Sequence, residues 1–388
     1  MKTIAVIFGG KSTEHDVSVV TALASIIKPL ELTGNYRVEA VYISKEGEWF
    51  WDDGLKDIEL YQSGEIEEFM KRAPKVHLLF DKGLTLVKSS QFAGRKQYRH
   101  IDVVFPAMHG THGEDGELMG LLEMANVAYV GCGVAASAIA MDKVLAKQVT
   151  ESAGIPSTPW VWFYAKDLGR NYQKVLSEIE KLDYPLFVKP AHLGSSIGIT
   201  RVDDKQGLTN ALEVAAHYDN KVIVEQGVQN LVEVTLPIIG NDELTPALLE
   251  QPLLKSEDFF DFDTKYMQGG KKGGKKGGGK HGAQGYSKIP ADLPKDLYDQ
   301  AITLGQTVYR TVGCTGIARV DMLIDTKTGK TMFNEINPLP GGLYSHNWNQ
   351  AGISNVDLVT RLVDLAEERW RQSQKLSTVF TTNYLRQF

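Results

Sequence analysis

Residues 316–338 hold the densest set of groups that could do chemistry. The turn 325–330 separates two β-type runs, 316–324 and 331–336, so the segment is predicted to form a hairpin. Side chains alternate across a strand. Arg319 and Asp321 therefore share one face of the first strand, with Ala318, Val320, Met322 and Ile324 on the other. Glu335 and Asn337 share a face of the second. With a turn centred near residue 327 or 328, Asp321 is expected opposite residue 334 or within one place of it, beside Glu335. Two carboxylates and an amide oxygen would then meet next to an arginine. Oxygen donors that leave room for water and phosphate suit Mg²⁺; a surface salt-bridge cluster is the alternative.

Lysines decide which chemistry such an ion would serve. Lys189 ends an apolar strand and Lys143 follows Met141-Asp142 in a helical stretch, and either could meet phosphate oxygens as a point charge or simply be solvated. Between them, Gly194-Ser195-Ser196-Ile197-Gly198 offers backbone N–H groups and two hydroxyls able to fold over phosphates, or to make only a turn. At the N-terminus, Gly10-Lys11-Ser12 matches the end of a phosphate-binding loop, but Ala5 stands where that loop needs its first glycine. Gly9-Gly10 also lacks the dinucleotide-binding spacing. There remains a strand–turn–helix with Glu14 and Ser18 near a helix N-terminus, suited to a polar small molecule or to capping alone. His109 and His112 follow a strand end without further Cys or His at zinc spacing, which leaves a polar role or structural hydrogen bonding for His109.

Several elements must position these groups. A run at residues 2–8, a Gly turn and a helical stretch 17–30 reaching Pro29 open the chain; runs 38–43 and 101–106 read as strands and 117–125 as a helix. Residues 1–135 are thus expected to form an α/β unit with a parallel sheet, with 44–100 as excursions. A helix over 136–153, strands 184–189, 197–202 and 221–225, and a helix 205–217 suggest a small α+β unit at 136–228. A third unit, 229–388, takes strands 233–239, 316–324 and 331–336. Residues 269–285 carry nine Gly and five Lys, a composition that cannot bury a core and is expected to be mobile.

Composition narrows the classes. At 388 residues, 43% hydrophobic and 23% charged, the chain has material for two or three globular units. Its net charge of -6 argues against general nucleic-acid binding. No secretory signal or membrane span is read, and the longest apolar run, 127–141, is short of roughly 18 residues and rich in small ones. Cys132 and Cys314 cannot make a disulfide framework and fit buried free thiols in a reducing cytoplasm, with a single bridge as the alternative.

Taken in order, Phe8-Gly-Gly-Lys-Ser-Thr-Glu-His-Asp-Val-Ser18, His109-Gly with Gly113-Glu-Asp-Gly116, Met141-Asp-Lys143, Phe187-Val-Lys-Pro190 with Gly194-Ser-Ser196, Gly313-Cys-Thr-Gly316 with Arg319-Val-Asp321, and Glu335-Ile-Asn337 with Pro340-Gly341 resemble the signature of the D-alanine–D-alanine ligase family of the ATP-grasp superfamily. The resemblance spans nearly the whole chain. It implies a three-domain ATP-grasp architecture with ATP between the central and C-terminal domains, a D-alanine or related D-amino acid as substrate, and a homodimer. Lys143 and Lys189 would contact the phosphates, Glu225, Gln226 and Val228 the adenine, and Glu233 the ribose, with Ser195, Ser196 and Lys265 also in the ATP site. Asp321, Glu335 and Asn337 would hold two Mg²⁺ ions, with Mn²⁺ a possible substitute. Glu14 would receive the first substrate's ammonium group near Ser18 and His109. Ser195 and Tyr266 would couple the closing loop to Glu14, while Arg319 and the Gly341 N–H would stabilise developing negative charge.

That assignment fits the charges. A carboxylate becomes electrophilic by attacking the γ-phosphate of ATP, and an amine then displaces phosphate from the acyl phosphate through a tetrahedral oxyanion. Water must be excluded. The chain departs from the family twice. The loop after Lys265-Tyr266 is enlarged with Gly and Lys, either a basic lid or a solvated insertion. The family's usual Glu-x-Asn-Thr-x-Pro-Gly continuation is here Pro338-Leu-Pro-Gly-Gly-Leu-Tyr-Ser-His346-Asn-Trp348. By ungapped counting His346, with Ser345 beside it, replaces a serine that helps hold the second substrate's carboxylate, so the acceptor is open.

Overall fold

A computed structural model describes residues 1–89, 96–253 and 287–388. Lys265, Tyr266 and the Gly/Lys run 269–285 lie outside the described residues.

Strand Lys2–Gly9 is buried from Ile4 onward, as a central parallel strand covered on both faces should be. It pairs in parallel with Tyr36–Ile43 and Val103–Pro106, the latter with Ala128–Tyr129, and Trp49–Trp51 closes the other edge antiparallel. The helix after the Gly turn does not stop at Pro29. It runs from His15–Val20 through a π-helical stretch, Thr21–Ile27, into Lys28–Leu32. Pro29 follows directly on the π-helical stretch, whose altered hydrogen-bond register accommodates a residue without an N–H. The excursion between residues 44 and 100 contains an antiparallel sheet of its own, Val76–Phe80, Leu84–Ser89 and Lys96–Ile101.

The helix expected over 136–153 is two helices, Val134–Met141 and Lys143–Ser152. Asp142 breaks it with extended backbone, and its carboxylate accepts from the N–H groups of Val144 and Leu145 at 2.9 and 3.1 Å. Such a cap stabilises a helix start by about 1 kcal/mol and fixes Lys143 as its first residue. Beyond it, an antiparallel sheet orders Thr200–Val202, Leu186–Pro190, Lys221–Gln226 and Trp160–Tyr164 over a core that includes Leu186, Val188, Leu212 and Val224.

A further antiparallel sheet orders Leu244–Pro246, Leu231–Gly240, Gly316–Asp325 and Lys330–Asn337. Helix Lys295–Val312 packs against it through Ala301, Val308 and Tyr309. Helix Asn355–Ser373 instead turns back to the N-terminal sheet: Leu358, Leu362 and Trp348 share one core with Ile4, Phe8 and Ile26. The segment leaving the hairpin, with Leu339 and Leu343 in that same core, is thereby clamped between both ends of the chain. The result is the mixed α/β and α+β architecture expected, with a parallel N-terminal sheet. Cys132 and Cys314 are buried free thiols. Among the described residues no helix is long and apolar enough to cross a membrane.

Candidate active site

The hairpin brings Asp321 directly opposite Glu335, and Arg319 opposite Asn337. The register explains how. From Asp325↔Lys330 to Met322↔Phe333 the pairing is regular, and continued it would set Asp321 against Asn334; a bulge between Asp321 and Met322 skips Asn334 and substitutes Glu335. Arg319 grips Asp321 with two nitrogens, Nε at 2.9 Å from Oδ1 and Nη2 at 2.6 Å from Oδ2. The Thr235 hydroxyl, on the neighbouring strand, also donates to Asp321. Asn337 Oδ1 accepts from Leu339 N–H at 3.0 Å. The oxygen-rich face fits a hard divalent cation such as Mg²⁺ or Mn²⁺. Any ion at Asp321 would share or displace the guanidinium.

Lys143 reaches this face from its capped helix, its ammonium 3.7 Å from Glu335 Oε2 and donating to Leu193 O at 2.6 Å. Lys189 meets a different carboxylate: its ammonium is 3.2 Å from Glu225 Oε1, and the fully buried Lys147 stands 3.2 Å from Oε2. Burial disfavours the Glu225 carboxylate, but the two ammonium groups outweigh it and hold its pKa down to about 2. The Gln226 side chain accepts from Asp183 N–H, Val228 is half-buried past the strand end, and half-buried Glu233 lies opposite Leu323. Lys143 and Lys189 thus flank the loop 191–198, beside the hairpin and next to the 225–228 strand end.

Glu14 occupies the N-cap position of His15–Val20 and is buried. The Ser195 hydroxyl donates to its Oε1, and Ser195 and Ser196 both take positive φ, 53° and 60°. The loop lies close: a Cβ at Gly194 would stand 3.0 Å from Glu14 Oε2. Ser18, fully buried, accepts from Gly9 N–H and donates to Ala107 O, both at 2.7 Å, so it ties the Gly turn to the adjacent strand end. His109 and His112 diverge. His112 is exposed, with its ring on Glu117 and near Asp115. His109 is buried, with Nε2 2.9 Å from Thr21 Oγ1, which accepts from Gly342 N–H at 2.9 Å. Burial opposes a charge on His109, yet Glu114, Glu14 and the Leu339 carbonyl raise its pKa overall.

Gly341 opens a tight turn in which Gly342, Leu343 and Tyr344 all have positive φ. Two non-glycine residues there store strain of order 1–3 kcal/mol each, offset by burial of Leu343 and by the Arg319 guanidinium 5.3 Å over the Tyr344 ring. Ser345 starts helix Ser345–Gln350. His346 stacks near Tyr344, centroids 4.7 Å apart, and its Nε2 is 2.9 Å from Glu250 Oε2. Asn347 holds the same oxygen at 3.1 Å. Burial raises the Glu250 pKa, but His346, Asn347 and Ser287 together lower it, keeping an ionised acceptor there.

The structure brings Glu14 to Ser195, Lys143 to Glu335, Lys189 to Glu225 and Arg319 to Asp321. Sequence reasoning passed over Lys147, Thr21 and Glu250. Only Lys147 carried a signal, its place four residues after Lys143 on one helix face.

Residues 3–132 match the family described as D-ala D-ala ligase N-terminus, and residues 149–364 that described as D-ala D-ala ligase C-terminus. A D-alanine–D-alanine ligase of Acetivibrio thermocellus is 37% identical over 392 aligned residues, covering 96% of this chain and 98% of the relative. One of Chloroherpeton thalassium is 35% identical, with 96% and 98% covered. The solved D-alanine–D-alanine ligase of Coxiella burnetii superposes with a TM-score of 0.76 at 27% identity, covering 96% of both chains. The VanG D-Ala:D-Ser ligase of Enterococcus faecalis also gives 0.76, at 33% identity, covering 94% of this chain and 99% of that one.

Proposed function

The chain belongs to the D-alanine–D-alanine ligase family, an ATP-grasp ligase family of peptidoglycan synthesis, and from that premise we propose that it joins two D-alanines with ATP, through a D-alanyl phosphate. The observation that carries the reading is the bulged register, which sets Asp321 against Glu335 with Arg319 beside them and Lys143 3.7 Å from Glu335. Carboxylates for a cation, an ammonium for phosphate and a fixed guanidinium for an oxyanion are what acyl-phosphate chemistry needs.

In this reading Asp321, Glu335 and Asn337 hold Mg²⁺, which when bound neutralises phosphate charge. Lys143 and Lys189 receive the phosphates under the loop of Ser195 and Ser196, with Lys265 also assigned to the ATP site; Glu225, Gln226 and Val228 line the adenine, and Glu233 the ribose. Glu14 binds the first substrate's ammonium group, and Ser195 ties the loop 191–198 to it, closing that side against water. Arg319 and Gly341 N–H face the tetrahedral oxyanion, where each such donor is worth about 3 kcal/mol. His109 bears on the Gly341 turn through Thr21 and Gly342. The domains of this reading are 1–135, 136–228 and 229–388, and the enzyme acts in the cytoplasm as a homodimer.

A second acceptor is favoured by one observation: Glu250 fixes a histidine, His346, where the family's acceptor-binding serine falls by ungapped counting. Likeness to a D-Ala:D-Ser ligase supports keeping D-serine beside D-alanine as acceptor. The test is phosphate release from ATP and Mg²⁺ with D-alanine alone, then with D-serine, D-lactate and L-amino acids added. No turnover with any D-alanine combination would sink the reading. Asp321→Asn or Glu335→Gln should abolish turnover in a folded protein, and near-normal rates would refute the metal assignment.

A further inference from the structure

Lys147 has no part in the roles above, yet its side chain is wholly buried. It sits one helical turn after Lys143 on Lys143–Ser152 and points at the same carboxylate as Lys189. Each ammonium is 3.2 Å from its own Glu225 oxygen, and Thr158 Oγ1 donates to Oε2 at 3.3 Å. One anion thus faces two cations from two different elements. The two differ in access, since the Lys189 side chain keeps 13% exposure and that of Lys147 none.

A lone buried carboxylate is strongly destabilising, and so is a lone buried ammonium. Were Lys189 the sole partner of Glu225, phosphates drawing it away would strand the carboxylate in a dry site. Lys147 prevents this. With both lysines protonated the triad carries one surplus positive charge before nucleotide binds, and burial, opposed by Glu225 and helped by Lys189, lowers the Lys147 pKa; once Lys189 turns to phosphate, Glu225 and Lys147 are left as a balanced pair. Glu225 therefore has a counter-charge in both states, and it keeps its place at the end of strand Lys221–Gln226.

We propose that Lys147 is a positioning residue of the nucleotide site, which keeps Glu225 paired and in place while the phosphates of ATP take Lys189 from it. The proposal rests on the reading that Lys189 meets phosphate. It separates ligands by charge: ATP draws Lys189 away, whereas adenosine has nothing to draw it with.

The test measures equilibrium binding of ATP and of adenosine to the full chain and to Lys147→Met, Lys147→Arg, Glu225→Gln and the double variant Lys147→Met/Glu225→Gln. Thermal melting checks that each is folded. Lys147→Met should weaken ATP at least tenfold while adenosine changes less than about threefold. Lys147→Arg should retain most ATP affinity. Judged against Glu225→Gln alone, which already carries the loss of the adenine contact, the double variant has no buried anion to strand and should bind ATP within about threefold, and it keeps the test available should the single variant not fold. Equal weakening of ATP and adenosine by Lys147→Met, or a double variant roughly tenfold weaker for ATP than Glu225→Gln alone, would mean that Lys147 only packs the site and would overturn the proposal. If the parent binds adenosine but not ATP, the phosphate role of Lys189 fails first and takes the proposal with it.

Discussion

His192 begins the loop that carries Ser195, and its charge should make the stability of this region depend on pH. Its backbone N–H donates to Asp219 Oδ2 at 2.7 Å, its ring Nδ1 lies 2.9 Å from the same oxygen, and Nε2 is 3.3 Å from Asp142 Oδ2. Asp142 is also the cap of the Lys143 helix and accepts from Lys221 at 2.6 Å. The hydrogen bonds to Asp142 and then Asp219 raise the His192 pKa from 6.5 to about 9, against burial. A pKa raised on folding gives stability that is complete below the unfolded value of 6.5 and lost as pH climbs through 9. At about 1.4 kcal/mol per pH unit the ceiling is about 3 kcal/mol. The ring is 43% exposed, so solvent screening reduces this to roughly 1 kcal/mol. Chemical denaturation of the parent and of His192→Asn from pH 6 to 10 reads the effect as a difference, which removes other titrating groups. The variant should be less stable by roughly 1 kcal/mol at pH 6, with the gap shrinking by pH 10. A gap constant across that range, or an imidazole titrating near 6.5 by NMR, would refute the reasoning.

Arg319→Lys removes the two-nitrogen grip on Asp321 and the stack over Tyr344. It should lower kcat by about 10²–10³ with little change in ATP affinity, and a kcat within threefold of the parent would dismiss the oxyanion role. His346→Ser should alter the preference among D-alanine, D-serine and D-lactate more than it alters ATP affinity; an unchanged acceptor profile dismisses its role. Glu250→Gln removes the charge that holds His346 and Asn347, so acceptor KM should rise several-fold with ATP KM constant, as steady-state kinetics would show. Gly316→Ala would set a Cβ 2.9 Å from Gly131 N at a φ of 68°, where the obstacle is backbone and cannot rotate away. A loss of about 2 kcal/mol or more is expected by denaturation, and a parent-like midpoint would show that the 131/316 approach relaxes freely.

Much of this protein is legible in its sequence, because period-2 alternation and turn residues act locally. They put Arg319 with Asp321 and Glu335 with Asn337, and the order of short motifs across the chain identifies the family. Helix and strand limits fail where one residue changes the local hydrogen bonding: Asp142 splits a helix by capping its second half, and Pro29 is absorbed behind a π-helical stretch. Tertiary structure alone decides the rest. The bulge at Asn334 chooses Glu335 as the partner of Asp321, and no alternation rule specifies a skipped residue. Glu225 meets Lys147 and Lys189, and Glu250 meets His346, across 36 to 96 positions of sequence. Such pairs form because a buried charge must find its counter-charge wherever packing places one, and packing is a property of the whole chain.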